Sequence, residues 1–219
     1  MNQAPVITID GPSGTGKGTI AQKLANSLGW HFLDSGALYR IVAVGAEISG
    51  ILHKNIKDLV GLSKVMDVTF SEQFEGSISL NGEEVSGKVR LEETAEKASL
   101  VAVIPEVRKA LLNRQLNFRQ LPGLVADGRD MGTVVFPDAG LKFYLTASPE
   151  ERAQRRYKQL INKGVSVNLR ALLQDIASRD ERDANRKVSP LKPADDAVVI
   201  DTTSLTIEQV LNKVLAEVR

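Results

Sequence analysis

The fold of this chain is constrained most by a glycine-rich run near its start, Gly11-Pro12-Ser13-Gly14-Thr15-Gly16-Lys17-Gly18-Thr19. The apolar residues 6–9 before it predict a buried strand, and apolar residues at helical spacing over 20–28 predict a helix after it. In such a strand–loop–helix unit, successive backbone N–H groups and the helix N-terminus face one anion. Lys17 can neutralise phosphates held there. Every residue of the run is therefore predicted to bind a polyphosphate.

One position departs from the usual form of this phosphate-binding loop, the P-loop. Ser or Thr ordinarily follows the lysine and places a hydroxyl on Mg²⁺, whereas Gly18 and then Thr19 follow it here. We therefore predict ATP as the ligand, with an Mg²⁺ ion held by phosphates and water and no direct protein ligand. Asp127, at the end of a predicted strand, is the carboxylate expected to orient the hydrated ion, and Asp10 is a weaker alternative.

Five short apolar runs predict strands at residues 6–9, 31–33, 124–126, 141–145 and 198–200. Helical lengths separate most of them, which is typical of an α/β fold with a parallel sheet and crossover helices. Polar residues follow four of these runs: Asp10, Asp34 with Ser35, Asp127, and Asp201 with Thr202. Because ligands bind beyond the carboxyl ends of strands in open α/β sheets, the site is expected at that edge.

The segment between residues 61 and 99 has a different pattern. Residues 68–70, 77–80 and 83–85 resemble short strands, and Asn81-Gly82 is typical of a hairpin turn. We predict an inserted antiparallel subdomain here. It interrupts a single domain whose core comprises about residues 1–60, 100–148 and 193–219.

Composition limits the classes of partner. The net charge of the 219 residues is only +1 and aromatic residues make up 5% of the chain, which argues against a nucleic-acid-binding surface. The sequence has no cysteine, no charged apolar leader and no apolar run of the roughly 18 residues that a membrane span needs. We expect a cytoplasmic monomer with small-molecule substrates and neither a nucleic-acid nor a membrane partner.

Positive charge is concentrated between residues 149 and 192, where eleven Lys and Arg residues accompany six Asp and Glu residues. Ser148 and Pro149 predict a helix start, and Arg152, Arg155 and Arg156 then share one helical face. We predict that these three arginines are catalytic and belong to a lid at about residues 149–168. Catalytic arginines are worth about 10³ to 10⁵ in rate. A solvated surface without catalytic effect is the alternative.

A second helix is predicted at about residues 169–187. Its first half has an inward apolar stripe, which continues into three charged residues, Arg179, Asp183 and Arg186. Because unpaired buried charges are costly, we expect the charged end of this helix to enter a cleft. A structural ion-pair network that includes Arg182 is the alternative.

Two further arginines follow predicted strands, in the runs that begin at Asp34 and Asp127. Arg40 and Arg129 can each grip a phosphate through two hydrogen bonds, which suits the acceptor site that a phosphotransferase needs. A structural role is the alternative for either arginine by itself.

Four runs resemble the bacterial cytidylate kinase family, in order and across nearly the whole chain: GPSGTGKGT (11–19), LDSGALYR (33–40), ADGRDMGTVVFP (126–137) and RDERDANR (179–186) with Ser189-Pro190-Leu191. The loop with Gly18 is also the variant found in nucleoside monophosphate kinases. The resemblance implies a P-loop kinase core with a five-stranded parallel sheet flanked by helices, an acceptor-binding region enlarged by the insertion, and a short lid. It implies transfer of the γ-phosphoryl group of ATP to CMP or dCMP.

The resemblance also implies substrate-binding roles at matching positions. Ser35, Arg40 and Arg129 would contact the acceptor phosphate, with Tyr39 lining the pocket. Ser99, Arg108 and Asp130 would recognise cytosine, because an aspartate accepts a hydrogen bond from the exocyclic amine that uracil lacks. The remaining substrate-binding positions are Arg179 and Asp183, which would hold the sugar, and Arg186.

Three other functions have distinct signatures. A kinase for another monophosphate or a small metabolite is the nearest alternative, and a panel of acceptors separates it. A P-loop regulatory switch such as a GTPase predicts an Asn-Lys-x-Asp motif, which the sequence lacks. A nucleic-acid-stimulated ATPase predicts a basic strand-binding face, against which the near-neutral charge argues.

Overall fold

The computed structural model describes residues 3–51, 55–71 and 77–218. These residues form eight strands: β1 (Val6–Asp10), β2 (His31–Asp34), β3 (Val68–Ser71), β4 (Ser77–Leu80), β5 (Glu83–Glu84), β6 (Leu124–Gly128), β7 (Leu141–Thr146) and β8 (Val198–Asp201). The same ranges form nine α-helices: α1 (Lys17–Leu28), α2 (Ser35–Ile48), α3 (Ile56–Val65), α4 (Ser86–Val89), α5 (Glu92–Val101), α6 (Pro105–Leu116), α7 (Pro149–Asn162), α8 (Leu169–Ala184) and α9 (Ile207–Glu217). A π-helical turn spans Met131–Val135. No helix in these ranges is long and apolar enough to cross a membrane.

The chain divides into two compact units, one comprising Met1–Asp34 with Leu116–Arg219 and the other Ser35–Gln115. The first unit contains a parallel sheet with the strand order β2-β6-β1-β7-β8. This sheet confirms the predicted five-stranded parallel α/β core. In its register Asp10 pairs with Gly128 and Asp34 with Asp127. Acidic residues of three neighbouring strands therefore lie side by side at the carboxyl edge, where the sequence predicts the site.

The core of the first unit is an apolar cluster between the sheet and two helices. Helix α1 contributes Ile20 and Leu24, and α9 contributes Val210 and Val214, all of them buried. They pack with strand residues Ile7, Ile9, Val125, Phe143, Leu145 and Ile200. A capping box starts α9: the Thr206 hydroxyl accepts from Gln209 N, and the Gln209 side chain accepts from Thr206 N. Helix α9 therefore packs on the sheet.

The second unit contains the small antiparallel sheet β3-β4-β5. Asn81 and Gly82, the predicted hairpin turn, both have positive φ (51° and 85°), and they join Leu80 to Glu83. Positive φ at both central residues is the geometry that favours Asn-Gly in a two-residue hairpin. Helix α2 packs against α5 in the same unit. The predicted insertion at 61–99 lies inside this unit, which also includes α2 and α6; the boundaries proposed for the insertion stay a prediction.

Helices α7 and α8 pack against each other. At the start of α7 the Ser148 hydroxyl accepts a hydrogen bond from Glu151 N, and Pro149 occupies the first helical turn, as the sequence predicts. Helix α8 ends at Ala184, three residues before its predicted end. The chain then folds back, and Leu191 N donates to Asp183 O. Pro190 disfavours a helical conformation at the residue before it, Ser189, so the helix could not have continued through that residue.

Candidate active site

The glycine-rich run forms a loop between β1 and α1, with Gly16 at the N-cap of the helix. Gly14 and Gly16 have φ of 83° and 89°, a conformation that side chains rarely adopt. A Cβ at Gly14 would also lie only 2.9 Å from the Cβ of Arg152. The Thr15 hydroxyl donates to Pro12 O at 3.2 Å, and Thr19 is exposed on α1. The loop therefore has the P-loop arrangement that the sequence predicts, with backbone geometry that favours glycine.

Lys17 is buried beneath this loop, and its Nζ donates to Pro12 O at 3.2 Å. Burial lowers the pKa of Lys17, and the positive charge of Arg129 acts in the same direction, while Asp127 and Asp34 favour the charged form. Burial raises the pKa of Asp127, against the opposing charge of Lys17. A buried ammonium and a buried carboxylate thus share the carboxyl edge of β1 and β6. Such a buried, polarised site can bind a polyphosphate strongly.

Gly18 approaches the Asp127 carboxylate closely. A Cβ at position 18 would lie 3.0 Å from Asp127 Oδ2, so the carboxylate lies beside the place where the usual Ser or Thr side chain would begin. The other oxygen, Asp127 Oδ1, is buried and accepts no hydrogen bond from the described residues. A hydrated Mg²⁺ ion fits this donor set, because Mg²⁺ prefers carboxylate and water oxygens. The structure therefore gives a physical reason for glycine at position 18.

Arg129 and Asp183 form a buried ion pair in the first unit. Arg129 Nε donates to Asp183 Oδ2 at 2.9 Å, and the side chains are 17% and 7% exposed. Burial opposes the charge on both groups, but the attraction dominates: it raises the pKa of Arg129 and lowers the pKa of Asp183. Two predicted substrate-binding residues, separated by 54 positions in the sequence, are therefore brought together.

Arg186 lies close to the same carboxylate. It follows the end of α8, and its Nε donates to the backbone oxygen of Asp183 at 3.3 Å. Its guanidinium is buried, with Nη2 at 4.0 Å from Asp183 Oδ1. Arg179, one turn before Asp183, is partly buried, and its charge helps to lower the pKa of that carboxyl. Arg179 and Arg186, together with Arg129, therefore act electrostatically on the Asp183 carboxylate.

Arg152 is almost fully buried and tied to the phosphate loop. Its Nη1 donates to Ser13 O at 3.1 Å and to Asp180 Oδ1 at 3.0 Å, and its Nε donates to Ala147 O at 3.1 Å. A second bond from Nη2 makes the contact with Asp180 bidentate. Sequence analysis missed Asp180 as the partner of Arg152. The position of Asp180 between Arg179 and Asp183, on a helix that packs against α7, is the feature that could have indicated this pairing.

Arg155 and Arg156 have different surroundings. Arg155 donates to the Thr202 hydroxyl at 3.1 Å, and its Nη1 also lies 3.4 Å from Thr15 O in the phosphate loop. Thr202 is buried and donates in turn to Thr15 O or Thr146 O. Arg156 donates to Gln159 Oε1 at 3.0 Å in an exposed contact. Of the three predicted lid arginines, two contact P-loop carbonyl oxygens directly.

The remaining predicted substrate residues lie in the second unit. Ser35, Tyr39 and Ser99 are buried there, on α2 and α5. The Arg108 guanidinium on α6 lies over the Tyr39 ring, 5.5 Å from its centroid, which is cation–π distance. Arg40 donates to Val89 O at 3.1 Å. The unit thus brings Tyr39 and Arg108 together across 69 positions of sequence.

Asp10 has a role that sequence analysis did not foresee. Its two carboxylate oxygens accept from Met131 N at 2.9 Å and Gly132 N at 2.8 Å, at the start of the π-helical turn. Burial raises the pKa of Asp10 to about 6, although both hydrogen bonds act against that rise. Asp130, the predicted cytosine ligand, is buried and directly precedes this turn. Both oxygens of Asp10 are therefore engaged by the backbone beside Asp130.

Comparison with known proteins points to one family. The family model described as "Cytidylate kinase" matches residues 7–219. A cytidylate kinase from Marinomonas sp. (strain MWYL1) is 56% identical over 219 residues, which cover 99% of this chain and 96% of that protein. A cytidylate kinase from Stutzerimonas stutzeri (strain A1501) is 57% identical over 221 aligned positions, which cover 100% of this chain and 96% of the relative.

Proposed function

Because the chain belongs to the cytidylate kinase family, we propose that it transfers the γ-phosphoryl group of ATP to CMP or dCMP, giving ADP and CDP or dCDP. One observation carries the proposal within the structure. Lys17 and Asp127 are buried together under the P-loop, and Gly18 leaves room for the carboxylate where another P-loop would have a hydroxyl residue. This arrangement supports a donor site for a nucleoside triphosphate.

On the donor side, Lys17 supplies a buried positive charge, and the N–H groups of the loop and of the first turn of α1 supply partial positive charges. The acceptor phosphate is already ionised at neutral pH, so no residue needs to act as a general base. Positioning and stabilisation of negative charge then account for catalysis. Mg²⁺, when bound, would neutralise phosphate charge, and Asp127 would orient it through its water ligands.

We propose that Arg152 and Arg155 are catalytic, as the sequence predicts, and their contacts with the P-loop indicate how they are positioned. Their guanidinium groups contact the carbonyl oxygens of Ser13 and Thr15, next to the expected phosphate site. Their charges can therefore stabilise the transferred group, while the same contacts hold the loop in shape. Arg156, whose contact with Gln159 is exposed, is a candidate to change partner when substrates bind.

On the acceptor side, we propose that Arg129, Ser35 and Arg40 contact the phosphate and that Tyr39 lines the pocket. The buried Arg129–Asp183 pair supports a polar site here, because removing two charged groups from water costs free energy that a purely structural role would not require. Arg179 and Asp183 would contact the sugar, and Arg186 stays a predicted substrate-binding residue.

We assign cytosine recognition to Asp130, Ser99 and Arg108. A buried carboxylate rejects an acceptor that lacks the exocyclic amine, because the carboxylate would lose its hydrogen-bond donor. The packing of Arg108 on Tyr39 supports a fixed guanidinium in this role. The predicted monomeric state and cytoplasmic location stay predictions.

Product analysis tests the proposed reaction. The purified protein with Mg·ATP and CMP should form CDP and ADP in equal amounts, and ADP formation should require CMP. Lys17→Met should reduce transfer by at least about 10²-fold, whereas Lys23→Met, which changes an exposed lysine of the same helix, should not. Formation of ADP without CDP, or full activity of Lys17→Met, would contradict the proposal.

A further inference from the structure

The π-helical turn at Met131–Val135 follows Asp130 directly, and its hydrogen bonds begin at that residue. Val134 N and Val135 N both donate to Asp130 O, at 2.9 and 3.2 Å. The position of the Asp130 backbone therefore depends on where this turn lies. A displacement of the turn moves the carboxylate that we assign to cytosine.

Asp10 fixes the turn on one side. It is the last residue of β1, the central strand of the sheet, and it is only 4% exposed. One carboxylate oxygen accepts from Met131 N and the other from Gly132 N, across more than 120 positions of sequence. A carboxylate that bonds two consecutive N–H groups fixes both the position and the orientation of the peptide units.

Close packing against side chains of β1 and β7 also limits movement of the turn. A Cβ at Gly132 would lie 2.7 Å from Thr8 Oγ1 on β1 and 3.1 Å from Lys142 Cδ on β7. Both distances are shorter than ordinary contacts, so the turn packs closely on these two side chains, and a Cβ could be added only if one of them shifted. Lys142 is itself held by Pro137 O and Asp196, at 2.7 and 3.0 Å. The turn thus has little freedom to shift while Asp10 keeps its bonds.

We propose that Asp10 is a positioning residue for base discrimination, which acts by fixing the turn that carries Asp130. The inference rests on the proposed function, since it assumes that Asp130 reads the cytosine amine. It differs from the predicted alternative in which Asp10 orients a metal ion, because both of its oxygens already accept backbone hydrogen bonds. Asp10 does not contact the base in this account; it acts on Asp130 through the backbone.

Asp10→Asn is the sharpest test, because it keeps the shape but puts an NH₂ donor against one backbone N–H. With saturating ATP, the ratio of kcat/KM for CMP to that for UMP should fall by at least about tenfold, since displacements of about 1 Å cost up to about 100-fold. The KM for ATP should change by less than about twofold. Asp138→Asn, which removes an exposed carboxylate after the same turn, should keep the wild-type ratio.

A double variant identifies the route of the effect. If Asp10 acts through Asp130, Asp10→Asn with Asp130→Ala should give the same CMP-to-UMP ratio as Asp130→Ala alone. Asp10→Ser, which removes both carboxylate oxygens and leaves a shorter hydroxyl without an NH₂ donor, provides a second variant, and its fold is checked by thermal unfolding.

The outcomes separate the two claims. If Asp130→Ala lowers the ratio but folded Asp10→Asn and Asp10→Ser keep it, or if the effects of the two sites add in the double variant, the positioning role is overturned while the cytosine assignment stands. If Asp130→Ala leaves the ratio at the wild-type value, the cytosine assignment fails and the inference fails with it.

Discussion

A Cβ at residue 18 would lie 3.0 Å from Oδ2 of Asp127, so the carboxylate would have to move by a few tenths of an ångström to make room for a side chain. The glycine on α1 and the aspartate at the end of β6 are therefore packed directly against each other. The P-loop lacks the usual hydroxyl residue at position 18, and the buried Asp127 carboxylate lies beside that position. A change at either residue should therefore affect the other.

Gly18→Ala is expected to lower kcat/KM for ATP by about tenfold, because the added methyl group displaces the Asp127 carboxylate. Helix propensity alone would favour alanine by up to about 1 kcal/mol, so activity should fall without loss of stability from that source. Gly61→Ala is a matched control: it lies in a helix, and no atom lies within 4 Å of the added Cβ. Steady-state kinetics of both variants check the prediction, and equal effects on kcat/KM would contradict it.

Asp127→Asn is expected to shift the pH dependence of ATP use. Burial lowers the pKa of Lys17 below its ordinary 10.5, and the negative charge of Asp127 opposes that shift. Because protonated Lys17 binds the phosphates, kcat/KM for ATP should fall as pH rises through this lowered pKa. Removal of the Asp127 charge lowers the pKa of Lys17 further, so the fall should begin at lower pH in Asp127→Asn.

The measurement is a profile of kcat/KM for ATP from about pH 6 to 10, where Lys groups shifted by burial titrate. Asp138→Asn, at an exposed site, should keep the wild-type profile. An alkaline limb that stays in place or moves to higher pH in Asp127→Asn would show that the two groups are not coupled in this way.

Removal of Asp180 should destabilise the protein, because it leaves the buried guanidinium of Arg152 without its carboxylate. Breaking such a pair from one side costs about 3 kcal/mol, whereas an exposed substitution on a helix costs less than about 0.5 kcal/mol. Urea unfolding of Asp180→Ala should show the larger loss, and Asp175→Ala, at an exposed site on the same helix, the smaller one. Similar stabilities for the two variants would remove the structural role given to Arg152.

The sheet and its helix starts could be predicted from sequence because their signals are local. Apolar runs mark buried strands, and Ser148 with Pro149 or Thr206 with Gln209 mark helix starts by bonds that span three residues. The strand ends also predicted where the site lies, because parallel strands bring their carboxyl ends to one edge.

The contacts inside the site could not be predicted in the same way. The bonds from Met131 N and Gly132 N to Asp10 cross more than 120 positions, and no periodicity reports them. Helical spacing placed Arg152 on a face with Arg155 and Arg156, but it could not reveal that the Arg152 guanidinium lies against Ser13 O and Asp180. Such pairings depend on how α7 packs on α8, which local sequence patterns do not encode.

The chain is a kinase for cytidine monophosphates, and we propose that Asp130 reads the base. A coupled assay with CMP, dCMP, UMP, AMP and GMP, on the wild type and on Asp130→Ala, tests it most directly. We predict that the wild type prefers CMP and dCMP, and that Asp130→Ala loses most of the preference for CMP over UMP while it still uses ATP. A wild type without a preference for cytidine monophosphates, or an Asp130→Ala variant with unchanged discrimination, would contradict the account.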